Sequence, residues 1–313
     1  MPPGQNQSWV SEFILLGFSS DPTTNRTLFG AFLLLFLSSV LGNGLIITLI
    51  CLDTHLHTPM YFFLCILSLL DMGCVTTTVP QMLVHLLSRS QTISFAGCWL
   101  QMYIFGAVGL TECILFVVMA FDRYVAICYP LRYTVIMSRW VCLLMVGICA
   151  AYGVVGGLSY TFFAMRLPYC GPNEIDHYFC EVPAVLKLAC ADTSLNDLVD
   201  FITGFNVIVV PLSLIVLVYV NIFATIMKIR SAQGRVKAFS TCASHITVVT
   251  MFAIPCIVTY MSPGSDSLSN SGKKMALFYN IATAFLNPVI YSLRNKDVNR
   301  AFLKLVGRGR APE

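Results

Sequence analysis

Four ionisable side chains, Asp71, Glu112, Asp122 and Arg123, stand inside stretches of sequence that are otherwise almost wholly apolar. Taking such a group into hydrocarbon costs about 2.5 to 3.5 kcal/mol on insertion scales, so each is a candidate for function. Two carboxyl groups close together could share a cation, or one could hold its proton, because like charges in a medium of low dielectric raise a pKa. An acid and an arginine side by side could pair locally, or the arginine could reach toward lipid headgroups. Catalysis of the common kinds is not indicated. There is no G-x-S-x-G nucleophile stretch and no H-E-x-x-H, and the in-span histidines, His85 and His245, lie near opposite ends. His177, Cys180 and Glu181 are metal-ligand types in a short stretch. A disulfide cysteine among polar loop residues accounts for them more simply.

The elements that carry these groups are membrane spans. Of the 313 residues, 57% are hydrophobic and only 11% charged, with a mean hydropathy of +0.77, far from the make-up of a soluble globular domain. A net charge of +4 with scattered cations leaves neither a nucleic-acid footprint nor a polybasic lipid anchor. Counting about 20 mostly apolar residues per crossing gives seven segments, near 28–52, 61–87, 98–125, 140–165, 198–227, 239–261 and 275–293. The fold class is an all-α seven-transmembrane helix bundle. The roughly ten-residue alternating strands of a membrane barrel are absent. Kinks are expected at Pro80, Pro211, Pro255 and Pro288. Residues 1–27 read as an extracellular N-terminus without a cleavable signal, 28–293 as the bundle, and 294–313 as a cytoplasmic tail. There Val298, Ala301, Phe302 and Leu305 share one helical face, the pattern of an amphipathic helix on the inner leaflet.

Thirteen Lys and Arg fall on one side of these spans and six on the other, which places the N-terminus outside and the C-terminus in the cytoplasm. Four cysteines, Cys98, Cys170, Cys180 and Cys190, then map to the outer side, where three pairings are open. Asn6-Gln7-Ser8 and Asn25-Arg26-Thr27 both read as glycosylation acceptors, of which Asn6, farther from the bilayer, is the better. At 1.5 Å per residue, Glu112 stands roughly 16 Å above Arg123 and Asp71 roughly 18 Å above Pro59. The two acids therefore share a depth, where Asn43 and Asn287 could join them.

Seven stretches, in order, resemble the odorant (olfactory) receptors of the rhodopsin-like class of G-protein-coupled receptors: LGNGLI (41–46), LHTPMYFFL (56–64), LSLLD (67–71), MAFDRYVAICYPLRY (119–133), CGPNEIDHYFCEVPAVLKLACADT (170–193), KAFSTCASH (237–245) and LNPVIYSLRNKDV (286–298). The resemblance covers nearly the whole chain. It implies that Arg123 is a switch, held near Asp122 at rest and freed when the sixth helix swings out to admit a G protein. Tyr124, Tyr219, His245, Asn287, Pro288 and Tyr291 match the rest of that machinery. It implies sodium at Asp71 and Glu112, no other cofactor, and disulfides Cys98–Cys180 and Cys170–Cys190. It further implies a small volatile odorant in the outer half of the bundle against Phe105, Gly109, Thr203, Val207, Ile257, Tyr260 and Asn280, with Gly109 also placed to let helices approach closely. The partner implied is a stimulatory olfactory heterotrimeric G protein that raises cyclic AMP, at the plasma membrane.

The chain departs from the family pattern at Ala253, usually aromatic, at Pro255, at Ala284, usually proline, and at Val218, usually serine. These bear on coupling between pocket and inner face, not on the family. Two other readings stand beside this one: the same fold in chemosensation outside the olfactory epithelium, and an ion or proton transporter using Asp71 and Glu112. The second finds no support in an internal repeat.

Overall fold

Helix starts follow side chains that accept the free N–H groups of a first turn. Asp21 accepts from the Thr24 N–H at 2.8 Å to open α1 (Pro22–Leu52), and α2 (Pro59–Leu87) opens on a proline, whose missing N–H costs nothing there. Ser94 caps α3 (Phe95–Cys128) through the Gly97 N–H at 3.1 Å. After the one-turn α4 (Tyr133–Ile136), Ser138 caps α5 (Arg139–Met165). A short α6 (Val182–Leu186) lies in the long loop that follows. Then come α7 (Ser194–Gly204), a π turn over Phe205–Val209, and α8 (Val210–Met227) as one continuous span. Next are α9 (Ala232–Tyr260), α10 (Asn270–Leu277), a second π turn over Phe278–Ala282, α11 (Thr283–Arg294) and α12 (Lys296–Arg308). This computed structural model describes residues 10–19, 21–88, 90–260, 270–294 and 296–308.

Among the described residues, six helices are long and apolar enough to cross a membrane. The continuous run from α10 to α11 is the seventh. The helices outrun the apolar stretches that announce them: the first begins at Pro22 rather than 28, the fifth at Ser194 rather than 198, and the sixth at Ala232 rather than 239. Caps and polar first turns lie beyond the hydrocarbon, so hydropathy does not register them. Residues 22–27 are thus helical. Pro80, Pro255 and Pro288 sit within α2, α9 and α11. Pro211 is the second residue of α8, just past the first π turn, where its ring withholds the N–H that would bond the Val207 carbonyl.

Helix α5 crosses α3 closely. A Cβ added to Gly157 would stand 2.8 Å from the Ala107 nitrogen and 2.9 Å from its Cα, and one on Gly153 would stand 2.4 Å from the Ala107 carbonyl oxygen. Gly109, expected to serve close approach, has nothing within 4 Å of such a Cβ. It faces open space, and the role belongs to Gly153 and Gly157.

A three-stranded sheet, not expected from the sequence, closes one end of the bundle. Its centre is β1 (Glu12–Leu15), antiparallel to β2 (Thr92–Ser94) and parallel to β3 (Glu174–Ile175). Strand alternation drives Phe13, Leu15, Ile93 and Ile175 into a cluster with Cys98, Trp99 and Cys180. Gly17, at φ 64°, turns the chain out of β1. Lys273 of α10 donates to the Gly17 carbonyl at 2.8 Å and pairs with Asp176 at 2.5 Å, tying N-terminal segment, long loop and seventh span together. Both disulfides lie at this sheet end, Cys98–Cys180 from α3 to the loop and Cys170–Cys190 within it. Asn25 is buried in the first turn of α1 with its amide on the Ser19 carbonyl, so it presents no acceptor for a glycan. Asn6 lies outside the described residues. On α12, Val298 and Ala301 are buried while Phe302 and Leu305 stay open.

Candidate functional site: a loop-covered cavity and a buried arginine

Beneath the sheet end, α2, α3, α5, α7, α9 and both π turns surround a cavity of about 110 Å³, covered by Cys180, Glu181 and Val182 of the long loop. The disulfide to Cys98 holds that cover against α3. Five of the seven expected lining residues line it: Phe105, Gly109, Thr203, Val207 and Tyr260. Two do not. Ile257 is 38% exposed on the outer surface of α9. Asn280 is fully buried, its amide donating to Thr78 Oγ1 at 2.8 Å with Cys74 Sγ at 3.5 Å from its Oδ1, so it pegs the seventh span to α2.

Sequence reasoning missed Tyr160, Glu181, Asp200 and Tyr279, which line the cavity as well. Two of these were within reach. Glu181 follows directly on a cysteine implied to be tied to α3, and Asp200 is an acid inside the stretch read as the fifth span. Tyr160 hydrogen-bonds Asp200. The Tyr279 hydroxyl donates to Glu181 Oε1 at 2.6 Å, and the Tyr260 hydroxyl donates to the same oxygen. Burial pushes the Glu181 carboxyl up from its ordinary range, and the two tyrosine bonds pull it back. His177 Nε2 lies 3.7 Å from Glu181 Oε2. Burial, with the Lys273 charge nearby, lowers His177 to about 3, so its ring is neutral. Cys180 is spent in a disulfide, which removes the loop cluster as a metal site. Among the described residues no group of three His, Cys, Asp or Glu side chains could hold a metal ion.

Deeper in the bundle, Asn287 of α11 donates to both oxygens of Asp71, at 3.1 and 2.9 Å. Glu112, 3% exposed, feels the Asp71 charge and keeps Oε1 without a hydrogen-bond partner. Asn43 does not join the acids. Its amide donates to the carbonyls of Ser39 at 3.0 Å and Ala284 at 2.9 Å, pinning α1 to α11. The oxygens Asn43 Oδ1 and Asn287 Oδ1 are buried and unpartnered too.

At the far end of α3, Arg123 is buried and its Nη1 donates to the Met119 carbonyl at 3.0 Å. Asp122 instead accepts from the Tyr133 hydroxyl of α4 at 2.7 Å. Among the described residues Asp122 and Arg123 form no ion pair within 4.0 Å, contrary to expectation, because successive residues on a helix point about 100° apart. The Tyr219 hydroxyl and His245 Nδ1 meet at 2.9 Å, joining α8 to α9. The Tyr291 hydroxyl is buried without a partner, and the Arg123 charge acts on Tyr219, His245 and Tyr291 alike. Tyr124 packs its ring against Tyr129 with centroids 5.7 Å apart. A Cβ on Gly42 would stand 3.2 Å from the Pro288 ring.

The family model for olfactory receptors matches residues 32–308. The chain belongs to the olfactory receptor family. Human olfactory receptor 10G4 is 49% identical to it over 96% of each chain. Human olfactory receptor 2A12 is 45% identical over 98% of this chain and 99% of its own length, and mouse olfactory receptor 2A7 is 46% identical over the same shares. Squid rhodopsin superposes with a TM-score of 0.72 at 19% identity, covering 92% of this chain and 82% of its own, which shows the shared seven-helix fold. This olfactory receptor is therefore a multi-pass membrane protein of the G-protein-coupled kind, not an enzyme.

Proposed function

We propose that this receptor binds a small volatile odorant in the loop-covered cavity and activates a stimulatory olfactory heterotrimeric G protein, raising cyclic AMP. The sheet end and N-terminus face outward at the plasma membrane, and the C-terminus lies in the cytoplasm. What carries the reading is that one helix, α3, lines the cavity at one end and carries buried Arg123 at the other.

A cavity of about 110 Å³ is somewhat smaller than the ~150 Å³ engineered cavity that admits benzene, so it suits a compact odorant, and larger ones require the walls to yield. A ligand shifts the bundle only by its differential affinity for two arrangements. The bistable element is the Arg123 end, where the Tyr219–His245 bond spans α8 and α9 and the Tyr291 hydroxyl is left over as an alternative partner. Swinging α9 outward breaks that bond and bares Arg123 to a G-protein helix. Sodium would sit between Asp71 and Glu112, where Glu112 Oε1 and Asn287 Oδ1 are buried hard acceptors without donors.

The test is a cyclic AMP reporter assay in cells carrying the olfactory G protein, with surface expression measured and a broad odorant panel applied to wild type and Arg123→Ala. A dose-dependent response in the wild type that the variant loses is expected. A response undiminished in the variant would exclude Arg123 as the switch, and ion flux without G-protein activation would exclude the reading as a whole.

A further inference from the structure

The polar lining of the cavity is one-sided. Three carboxyl groups face it, Glu112, Glu181 and Asp200, and among the described residues no lysine, arginine or histidine lines it. The hydroxyl donors that could answer them are already used: Tyr260 and Tyr279 are bonded to Glu181 and Tyr160 to Asp200. Thr203 adds one hydroxyl that can donate or accept. Glu112, almost wholly buried, keeps Oε1 without any partner. A carboxylate oxygen has room for about two bonds, so what the cavity offers an incoming molecule is acceptors. A neutral hydrocarbon would leave them unsatisfied, and a carboxylic acid would add a like charge. A compact cation with N–H groups would answer both the geometry and the charge.

We propose that the preferred ligands are small aliphatic or arylalkyl amines, bound as ammonium ions. The charged nitrogen is anchored on Asp200, the hydroxyl of Tyr160 holds that carboxylate in place, and the apolar body lies toward Phe105 and Val207. Glu181, closed off by two tyrosines, serves the cover, and Glu112 supplies the free acceptor farther along α3. Simple amines are protonated at neutral pH, as a lysine is. This rests on the odorant-receptor reading of the same cavity and adds the chemical class and the anchoring residue.

The experiment compares matched sets in the reporter assay: a primary amine, the alcohol, the carboxylic acid and the hydrocarbon on the same carbon skeleton, at several skeleton sizes. Wild type and Asp200→Asn are compared at equal surface expression. Asn is close in shape and keeps an acceptor for Tyr160, so folding should survive, and a surface-expressed variant that responds to any member of the set is folded. The amine is expected to be the most potent member and the acid inactive. Asp200→Asn should weaken the amine by roughly tenfold or more while leaving the alcohol within about threefold. Potent acids or hydrocarbons with silent amines would overturn the amine class while leaving the receptor reading intact. An amine response unmoved by Asp200→Asn would overturn the anchor. Silence toward every odorant of every class, with receptor at the surface, would count against the receptor reading and the inference together.

Discussion

At the scale of single residues, the buried loop histidine shows how burial turns into pH dependence. His177 is neutral in the folded receptor because its pKa is lowered to about 3, whereas in an unfolded chain it titrates near 6.5. Below about 6.5 the unfolded chain takes up a proton that the native one refuses, so the stabilising contribution is whole above that pH and is lost as pH falls toward 3. By pH 5 the loss approaches about 2 kcal/mol. Glu181 acts in the opposite sense, since its raised carboxyl takes its proton earlier in the folded state. The unfolding temperature of purified receptor should therefore drop between pH 7 and pH 5, and His177→Gln should flatten that drop. An equal slope in the variant would show that other groups set it. The residues that sequence reasoning found most readily, Asp71, Glu112 and Arg123, are those that hydrocarbon penalises. Tyr160 and Tyr279 escaped because a tyrosine in a span carries no such penalty, and only packing shows where its hydroxyl ends.

Elements come next. Two glycines on neighbouring helices have opposite roles that their letter cannot reveal. Gly157 lies against the Ala107 backbone, so a methyl group there must push α5 off α3, whereas Gly109 opens on space beside the cavity. Gly157→Ala should cost about 1 to 3 kcal/mol, the range for overpacking, seen as a lower unfolding temperature and less receptor at the surface. Gly109→Ala should leave the unfolding temperature in place and change odorant potency instead. A destabilised Gly109 variant beside a normal Gly157 variant would reverse the assignment. Helix existence was legible from apolar runs, but helix starts were not: Pro22, Ser194 and Ala232 lie in polar sequence where caps and first turns decide. The sheet was not legible either. Its strands are two to four residues long and come from three distant parts of the chain, too short for a period to declare itself.

Over the whole molecule, the cavity and the Arg123 end are joined through the middle of the bundle, where Asn287 holds Asp71 and Glu112 borders the cavity. If sodium bound between the acids favours the resting arrangement, raising sodium should lower basal cyclic AMP in the wild type. Asp71→Asn should abolish that sensitivity at equal surface expression, and sensitivity that persists in the variant would rule out a shared site. The same reciprocity makes sodium reduce odorant potency in the wild type alone.

The sequence by itself determined that this chain spans a membrane seven times, since crossing hydrocarbon demands long apolar helices that composition cannot hide. Its ordered motifs pointed to the olfactory receptor family, later shown by the family match. Tertiary structure decided which residues meet. Adjacency on a helix had suggested an Asp122–Arg123 pair, but helical geometry turns the two apart and gives Asp122 to Tyr133. Equal depth had suggested Asn43 beside the acids, but rotation about α1 gives its amide to Ala284. Depth and spacing can be read along one chain. The angle at which each helix faces its neighbours is set by packing among all seven, and it is that angle which brings Glu112, Glu181 and Asp200 to one otherwise apolar cavity.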